Sequence, residues 1–505
     1  MVPDPKVAIM FDPAFLKGET WGLNGQSVEH VETHAAHVFL VGDRAFKIKK
    51  DVKFPYLDFS SAEKRRAVLQ DELAINRAFA PDIYLEVKDV HGEPVLVMRR
   101  FPAHALLSWQ IAHGGISRQL AEKLAAMIAE AHRRAPQSET PGDAIMLGLG
   151  AQLSKAFTDS PDLFRRAETL EFHALYEAAL LRLKPVLNER GEQGLVRRCH
   201  GDMHSGNIIV EDGQPSLFDA IEFSEKIATI DVLYDLAFLL MDLWHHDEKS
   251  AANIVLNRYL HFRRAEEDLS GLALLPLFLS TRAGVRALVT ADLVHELPVS
   301  ASLQQRGLAL DWFRSCIAYL KPAPPILVCV GGLSGTGKTT VSRDAAPHVG
   351  AAPGALHVRS DVERKVLAGV SDEVRLPDGA YSQASSAQVY AACFKRAKAA
   401  LVAGHSVVLD TVFADNRERD AAAAIAESSG VAFHGVWLEA PPEILKSRVN
   451  ARAGDASDAT AAVVEKQMSY DLGSMNWARI DASGPPDETL KRVRERLQSP
   501  PAVPA

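Results

Sequence analysis

The sequence predicts a multidomain protein of mixed class, an α+β part followed by an α/β part. Three observations predict it. The chain opens with short strand-like segments that give way to long helical patterns. A proline-rich join, "YLKPAPPILVCVGG", ends the last of those helices and leads into a short apolar run closed by glycines. Beyond the join, strand-like and helix-like segments alternate, which is the pattern of a parallel sheet.

In the first part, "SVEHVE" and "HVFLVG" read as strands, and "RAFKIKK" as a third after the turn at Gly42-Asp43. "SSAEKRRAVLQDELAINRAFA" has apolar residues at helical intervals behind a Ser cap. "PVLVMRRF" reads as another strand. From Ser117 to about Lys184 the pattern is mostly helical, as it is over Asp231 to Tyr259 and Leu272 to Tyr319. A small β-rich lobe, about 25–101, thus precedes a larger helical lobe, about 102–321. Pro322, Pro324 and Pro325 together break a helix, so a new domain is expected to begin at 325 and run to 505. "ALHVRSD", "SVVLDTVF" and "FHGVWLEAP" supply its further strands.

The composition is ordinary globular material: 505 residues, 47% hydrophobic and 24% charged. A formal net charge of -8 argues against a general nucleic-acid binder, which is usually basic, and leaves room for a local basic groove at most. The four cysteines, Cys199, Cys316, Cys329 and Cys393, lie far apart without a C-x-x-C pair, as expected of reduced thiols. The start, "MVPDPKVAIMFDP", lacks the pattern of a signal peptide. No uninterrupted apolar stretch approaches the ~20 residues of a membrane helix, so a cytoplasmic chain with no membrane partner is expected.

"GLSGTGKT", Gly332 to Thr339, fits G-x-x-x-x-G-K-[ST] between a predicted strand and a predicted helix. Glycines let backbone N–H groups face phosphate oxygens, and the positive helix N-terminus adds to the attraction. Gly332, Ser334, Gly335, Thr336, Gly337, Lys338, Thr339 and Thr340 are therefore expected to hold a nucleotide. Lys338 would bridge the β- and γ-phosphates and Thr339 would ligate Mg²⁺. Asp361 and Asp410 fall at the C-terminal ends of predicted strands, where α/β chemistry collects. Arg448 and Arg452, at i and i+4, share a helix face from which a lid could close on phosphates, and Arg417 is a further candidate. A solvated helix face competes with that reading for each arginine taken alone.

These residues resemble the small P-loop kinases of gluconate-kinase-like, zeta-toxin-like and polynucleotide-kinase-like type, over Pro325 to about Leu497. The resemblance implies a P-loop NTPase parallel sheet with helices on both faces. It makes Asp361 the base or orienter for an acceptor hydroxyl and gives Asp410 to Mg²⁺ or its water. Arg448 and Arg452 would belong to the lid.

"HGDMHSGN", His200 to Asn207, has the H-x-D-x-x-x-x-N spacing of a kinase catalytic loop. Asp202 would be the base and Asn207 a metal ligand, while "IIVEDGQPSLFD" delivers a second metal-binding acid, Asp219, after a tight turn. His204 is expected to shape the loop. The stretch resembles the aminoglycoside phosphotransferase family, whose fold is bilobal and protein-kinase-like, over about residues 25–320. By that resemblance Lys47 contacts the α/β-phosphates, Glu72 pairs with it, and "VLVMRRF" is the hinge that meets adenine. Lys49 has the same strand parity as Lys47 and competes for the role. "ETHAAH" stands where a Gly-rich loop would, and "AIEF" follows Asp219 in place of D-F-G.

The whole chain resembles bacterial fusions of such a domain with a P-loop kinase domain. That implies two sites using ATP and Mg²⁺, each phosphorylating hydroxyl groups of small molecules such as sugars or amino alcohols. In the alternatives, one domain is a nucleotide-binding regulator, or the P-loop domain acts on a nucleotide or a nucleic-acid end.

Overall fold

The computed structural model describes residues 11–33, 36–54, 57–222, 224–294, 299–451 and 457–498. The chain divides into two compact units, Met1–Thr140 with Gly194–Asp242, and Pro141–Gln193 with Leu243–Ala505.

The strands of the first unit are β1 (Val28–Glu32), β2 (Ala36–Val41), β3 (Arg44–Lys49), β4 (Lys53–Phe54), β5 (Leu57–Asp58), β6 (Tyr84–Val90), β7 (Glu93–Arg99), β8 (Val196–Arg198), β9 (Ile208–Glu211), β10 (Gln214–Leu217) and β11 (Thr229–Asp231). Five of them form an antiparallel sheet in the order β1-β2-β3-β7-β6. One face packs Phe39, Val41, Phe46, Val95 and Val97 against Trp21, whose ring stacks on Phe46 at 4.3 Å. Helix Ala62–Arg77 begins at Ser61, whose hydroxyl accepts the Lys64 N–H, as the cap signal predicts. Arg65, Leu69, Glu72 and Asn76 are buried at the 3–4 residue spacing of one helix face. Leu69 and Leu73 of this helix pack with Ile83, Tyr84 and Leu96, and that burial carries Glu72 inward. The β9–β10 hairpin turns at Asp212-Gly213, both with positive φ (50° and 69°), as a two-residue hairpin requires.

The second unit holds helices Ala144–Asp159, Arg166–Glu192, Lys249–Arg263, Glu266–Gly271, Leu275–Val294 and Val299–Tyr319. Phe157 centres an aromatic cluster with Phe164, Phe172 and Phe313 at 4.7 to 5.2 Å. The stretch Glu266–Val294 is long and apolar enough to cross a membrane by length and composition. In its most apolar window 67% is buried inside the fold, the mark of a core helix.

The same unit contains β12 (Ile326–Gly332), β13 (Leu356–Arg359), β14 (Val407–Asp410), β15 (Ala432–Glu439) and β16 (Ala478–Asp481), all parallel in the order β13-β14-β12-β15-β16. Val328, Val330, Val408, Val436 and Leu438 form its core, the near-continuous apolar strands of a sheet covered on both faces. The fold is thus mixed α/β, with a five-stranded parallel sheet in its C-terminal portion. The proline-rich join falls between the helix ending at Tyr319 and the start of β12, inside this unit.

Gly435 in β15 faces the Trp477 ring: a Cβ there would sit 2.4 Å from the ring's Cγ. Gly435→Ala is therefore expected to destabilise the protein by about 1–3 kcal/mol through overpacking. A urea unfolding midpoint equal to the parent's would show that the ring does not pack there.

Candidate active sites

Lys47 and Lys49 lie two apart on β3, so their side chains leave the same face. Lys47 Nζ is 2.7 Å from Glu72 Oε1 and 3.1 Å from Asp219 Oδ1. Lys49 Nζ is 2.7 Å from Glu72 Oε2 and 2.6 Å from Glu222 Oε1. Five groups thus alternate in sign: Asp219, Lys47, Glu72, Lys49, Glu222. Burial alone would raise the Glu72 pKa, but the two ammonium groups outweigh it and bring it to about 2. Burial likewise works against the charged form of Lys47, and Asp219 and Glu72 more than offset it, holding its pKa well above the usual value. Burial, with the neighbouring Glu72 charge, keeps Glu222 above the ordinary carboxylate range against the pull of Lys49.

Asp219 follows β10 with φ 58°, a left-handed conformation that Asp adopts more readily than most residues. Its N–H donates to Tyr84 Oη at 3.0 Å, and the next N–H, of Ala220, donates to Asn76 Oδ1 at 2.8 Å. Asn76 sits one helical turn after Glu72, so a single helix face fixes both the lysine pair and the backbone beside Asp219.

Buried acids hold the loop that follows β8. The N–H groups of His200 and Gly201 donate to the Asp235 carboxylate at 3.2 and 2.9 Å. The Ser205 N–H donates to Asp242 at 2.9 Å. Asp235 is fully buried and also lies 3.2 Å from His132 Nε2. His200 donates through Nε2 to the Phe218 carbonyl (2.9 Å) and accepts the Asp202 N–H at Nδ1 (3.3 Å). That pattern requires a neutral ring, and burial lowers its pKa in the same sense. Asn207 Nδ2 donates to the Asp202 carbonyl (3.0 Å) and to Asp202 Oδ2 (2.8 Å). His204 accepts the Gly206 N–H at Nδ1 (3.0 Å), the contact of a loop-shaping residue, and its Nε2 is 3.6 Å from Asp202 Oδ2. The Phe218 N–H donates to the Asn207 carbonyl at 3.1 Å, which ties the loop to the strand leading to Asp219.

In the second unit the turn after β12 is built on glycines for a steric reason. A Cβ on Gly332 (φ 142°) would lie 2.6 Å from the Leu438 carbonyl oxygen, and one on Gly335 (φ 86°) would lie 2.5 Å from that of Leu445. Gly337 (φ 87°) caps the helix Lys338–Ala345, whose first turn carries Lys338, Thr339 and Thr340. Lys338 Nζ and Thr336 Oγ1 donate to the Leu333 carbonyl at 3.1 and 2.8 Å. The Ser334 N–H donates to Gln467 Oε1 at 2.7 Å. Thr339 Oγ1 donates to Asp410 Oδ2 at 2.7 Å. Burial would raise the Asp410 pKa, but His357 (3.5 Å), Arg359 (3.7 Å) and Lys338 overcome it and hold it at about 2. Asp361 opens the helix Ser360–Leu367, where burial keeps its carboxyl above the ordinary range although Arg359 and Lys338 oppose that.

The arginines take other positions. Arg448 donates to the carbonyls of Ala482, Ser483 and Gly484 at 2.7, 3.2 and 2.8 Å. Arg417 is an exposed partner of Asp415. Arg452 lies outside the described residues. The sequence reading passed over Glu222, Asp235, Asp242, His357, Arg359 and Gln467. Two signals were present. Asp235 and Asp242 interrupt "VLYDLAFLLMDLWH", an apolar helix in which acids are costly to bury unless paired. His357, Arg359 and Asp361 alternate along one strand and its exit.

The model of the family described as "Phosphotransferase enzyme family" matches residues 46–274, and that described as "AAA domain" matches 327–470. An uncharacterized protein of Mycobacterium tuberculosis is 30% identical over 489 residues, covering 91% of this chain and 93% of its own. A sugar kinase structure from Janibacter sp. HTCC2649 is 21% identical over 34% of this chain and 95% of its own, with a TM-score of 0.27. A choline kinase structure from Cryptosporidium parvum Iowa II is 11% identical over 59% of this chain and 89% of its own, with a TM-score of 0.39. By class the protein is an ATP-dependent kinase. The chain belongs to the family of the mycobacterial protein, and in it a phosphotransferase-family domain is joined to a P-loop kinase-like AAA domain.

Replacing Glu72 by Gln leaves two buried ammonium groups short of a countercharge, so Glu72→Gln is expected to cost about 3 kcal/mol in unfolding free energy. Because the Glu72 pKa is depressed on folding, its contribution is complete above the ordinary value of 4.5 and is lost as pH falls toward about 2. Denaturant titrations across that window should show a shallower pH dependence in Glu72→Gln than in the parent. Parallel curves would mean that Glu72 is not charged in the folded protein.

Proposed function

We propose that the chain is a bifunctional ATP-dependent phosphotransferase with one site in each domain. Each site moves the γ-phosphate of ATP to a hydroxyl group of a small molecule, of sugar or amino-alcohol type. The observation that carries this reading is the linkage of two sets, Asp202–Asn207 and Lys47–Glu72–Asp219. Their contacts run from 2.7 to 3.1 Å, and the hydrogen bond from the Phe218 N–H to the Asn207 carbonyl joins the two sets.

In the first site Asp202 takes the proton of the acceptor hydroxyl. Asn207 and Asp219 offer an amide and a carboxylate oxygen, the hard donors that suit Mg²⁺. Lys47 turns from Asp219 to the α/β-phosphates while Glu72 keeps it aligned, and Lys49 stays between Glu72 and Glu222. In the second site the Gly332–Thr340 backbone and Lys338 hold the phosphates, and Thr339 and Asp410 supply the hydroxyl and carboxylate oxygens for Mg²⁺. Asp361 receives the acceptor's proton there, a task its raised pKa favours. Bound Mg²⁺ would neutralise phosphate charge at both sites. Arg448 is given no part in phosphate contact, since its guanidinium holds the 482–484 carbonyls.

The test uses a Lys338→Ala background, which silences the P-loop site. There Asp202→Asn should leave ATP affinity nearly unchanged and lower ATP turnover, and transfer to any acceptor found in a metabolite panel, by ~10²–10⁴-fold. Turnover equal to the parent's would remove the catalytic loop from the chemistry.

A further inference from the structure

The metal corner of the P-loop site is connected to a helix that lies outside the P-loop sequence. Helix Lys249–Arg263 falls within the stretch matched by the phosphotransferase family, residues 46–274. Its side chains reach β13, an edge strand of the parallel sheet. Asn257 Nδ2 donates to the Ala355 carbonyl at 3.1 Å, and Asn257 Oδ1 accepts the His357 N–H at 2.7 Å. One carboxamide thus makes the two contacts that a further strand would make along that edge. Asn253, 3% exposed, adds donations to the Pro353 and Ala355 carbonyls at 3.1 and 3.0 Å. Gly354 permits the approach, because a Cβ there would lie 2.8 Å from Asn253 Nδ2 and 2.7 Å from the Ala346 carbonyl oxygen. Arg258 with Asp372 (2.8 Å) and Arg264 with Glu363 (2.9 Å) hold the same helix and its end to the P-loop fold.

The backbone fixed in this way carries the imidazole of His357, whose Nε2 is 3.5 Å from Asp410 Oδ2. The same Asp410 oxygen accepts the Thr339 hydroxyl at 2.7 Å. We propose that His357 is a positioning residue for Asp410 and that Asn257 sets it from outside the P-loop sequence. The P-loop site's use of Mg²⁺ then depends on a helix of the phosphotransferase-family segment. Outer partners of metal-holding groups act by orienting them. The His357 ring limits the rotation of the Asp410 carboxylate, and the Asn257 carboxamide limits the rise and twist of the strand that carries the ring. This inference rests on the reading of Thr339 and Asp410 as the Mg²⁺-holding pair.

The test measures ATP binding to the full-length chain in an Asp219→Ala background, which weakens metal-dependent binding at the first site, with Mg²⁺ titrated from zero. Asn257→Ala and His357→Leu should each raise the Mg²⁺ concentration needed for half of the metal-dependent gain in ATP affinity by ~10-fold. ATP affinity without Mg²⁺ should stay at the parent's value, and His357→Gln, which keeps a donor, should restore most of the Mg²⁺ response. An unchanged Mg²⁺ response, or an equal loss of affinity with and without the ion, overturns the proposal. If Asn257→Ala does not fold, His357→Leu decides alone, because it leaves the helix contacts in place. A Lys338→Ala control separates the two readings: if the number of nucleotides bound per chain does not fall by one in that control, the P-loop assignment fails rather than the link to His357.

Discussion

A carboxylate taken out of water keeps its charge only where cations or N–H donors meet it, and each candidate site is assembled around such a group. Glu72 is met by two lysines, Asp235 by two backbone N–H groups and His132, and Asp410 by Thr339, His357 and Arg359. Removing any of these acids would leave buried partners uncompensated, a larger loss than the missing contact alone. The same pairings set the angles at which Lys47, Asp202 and Thr339 are presented. Structural cost and chemical geometry are therefore fixed by the same atoms.

The two sites solve the problem of phosphate charge with different parts of the fold. The first uses side chains drawn from distant stretches: a sheet strand, the helix beside it, a loop and a hairpin. Its loop is held by N–H donation to acids on a buried helix, so backbone and catalytic side chains are ordered together. The second uses contiguous backbone, where glycines allow a turn tight enough for neighbouring carbonyls to come within contact distance. Its remaining groups stand at the ends of adjacent parallel strands, where open α/β sheets collect their chemistry.

This difference explains what could be read from the sequence. The glycine-rich turn and the Asp202–Asn207 loop are short, and their chemistry demands fixed spacing, so both were legible along with the alternation that predicts the parallel sheet. Strand parity could not separate Lys47 from Lys49, because both side chains leave one face; only their partners distinguish them, Asp219 for one and Glu222 for the other. Glu222 pairs with Lys49 across 173 positions and Asp235 with His132 across 103, separations that leave no local periodicity to detect. Arg448 shows the converse. Its helical spacing with Arg452 suggested a phosphate-facing pair, and three carbonyls hold its guanidinium instead.

The account requires two nucleotide sites in one chain, each assembled by its own acids. Titration calorimetry of the intact protein with ATP and Mg²⁺ tests that requirement directly. The account predicts two nucleotides bound per chain, with one remaining after Lys338→Ala. A single nucleotide per intact chain would contradict it.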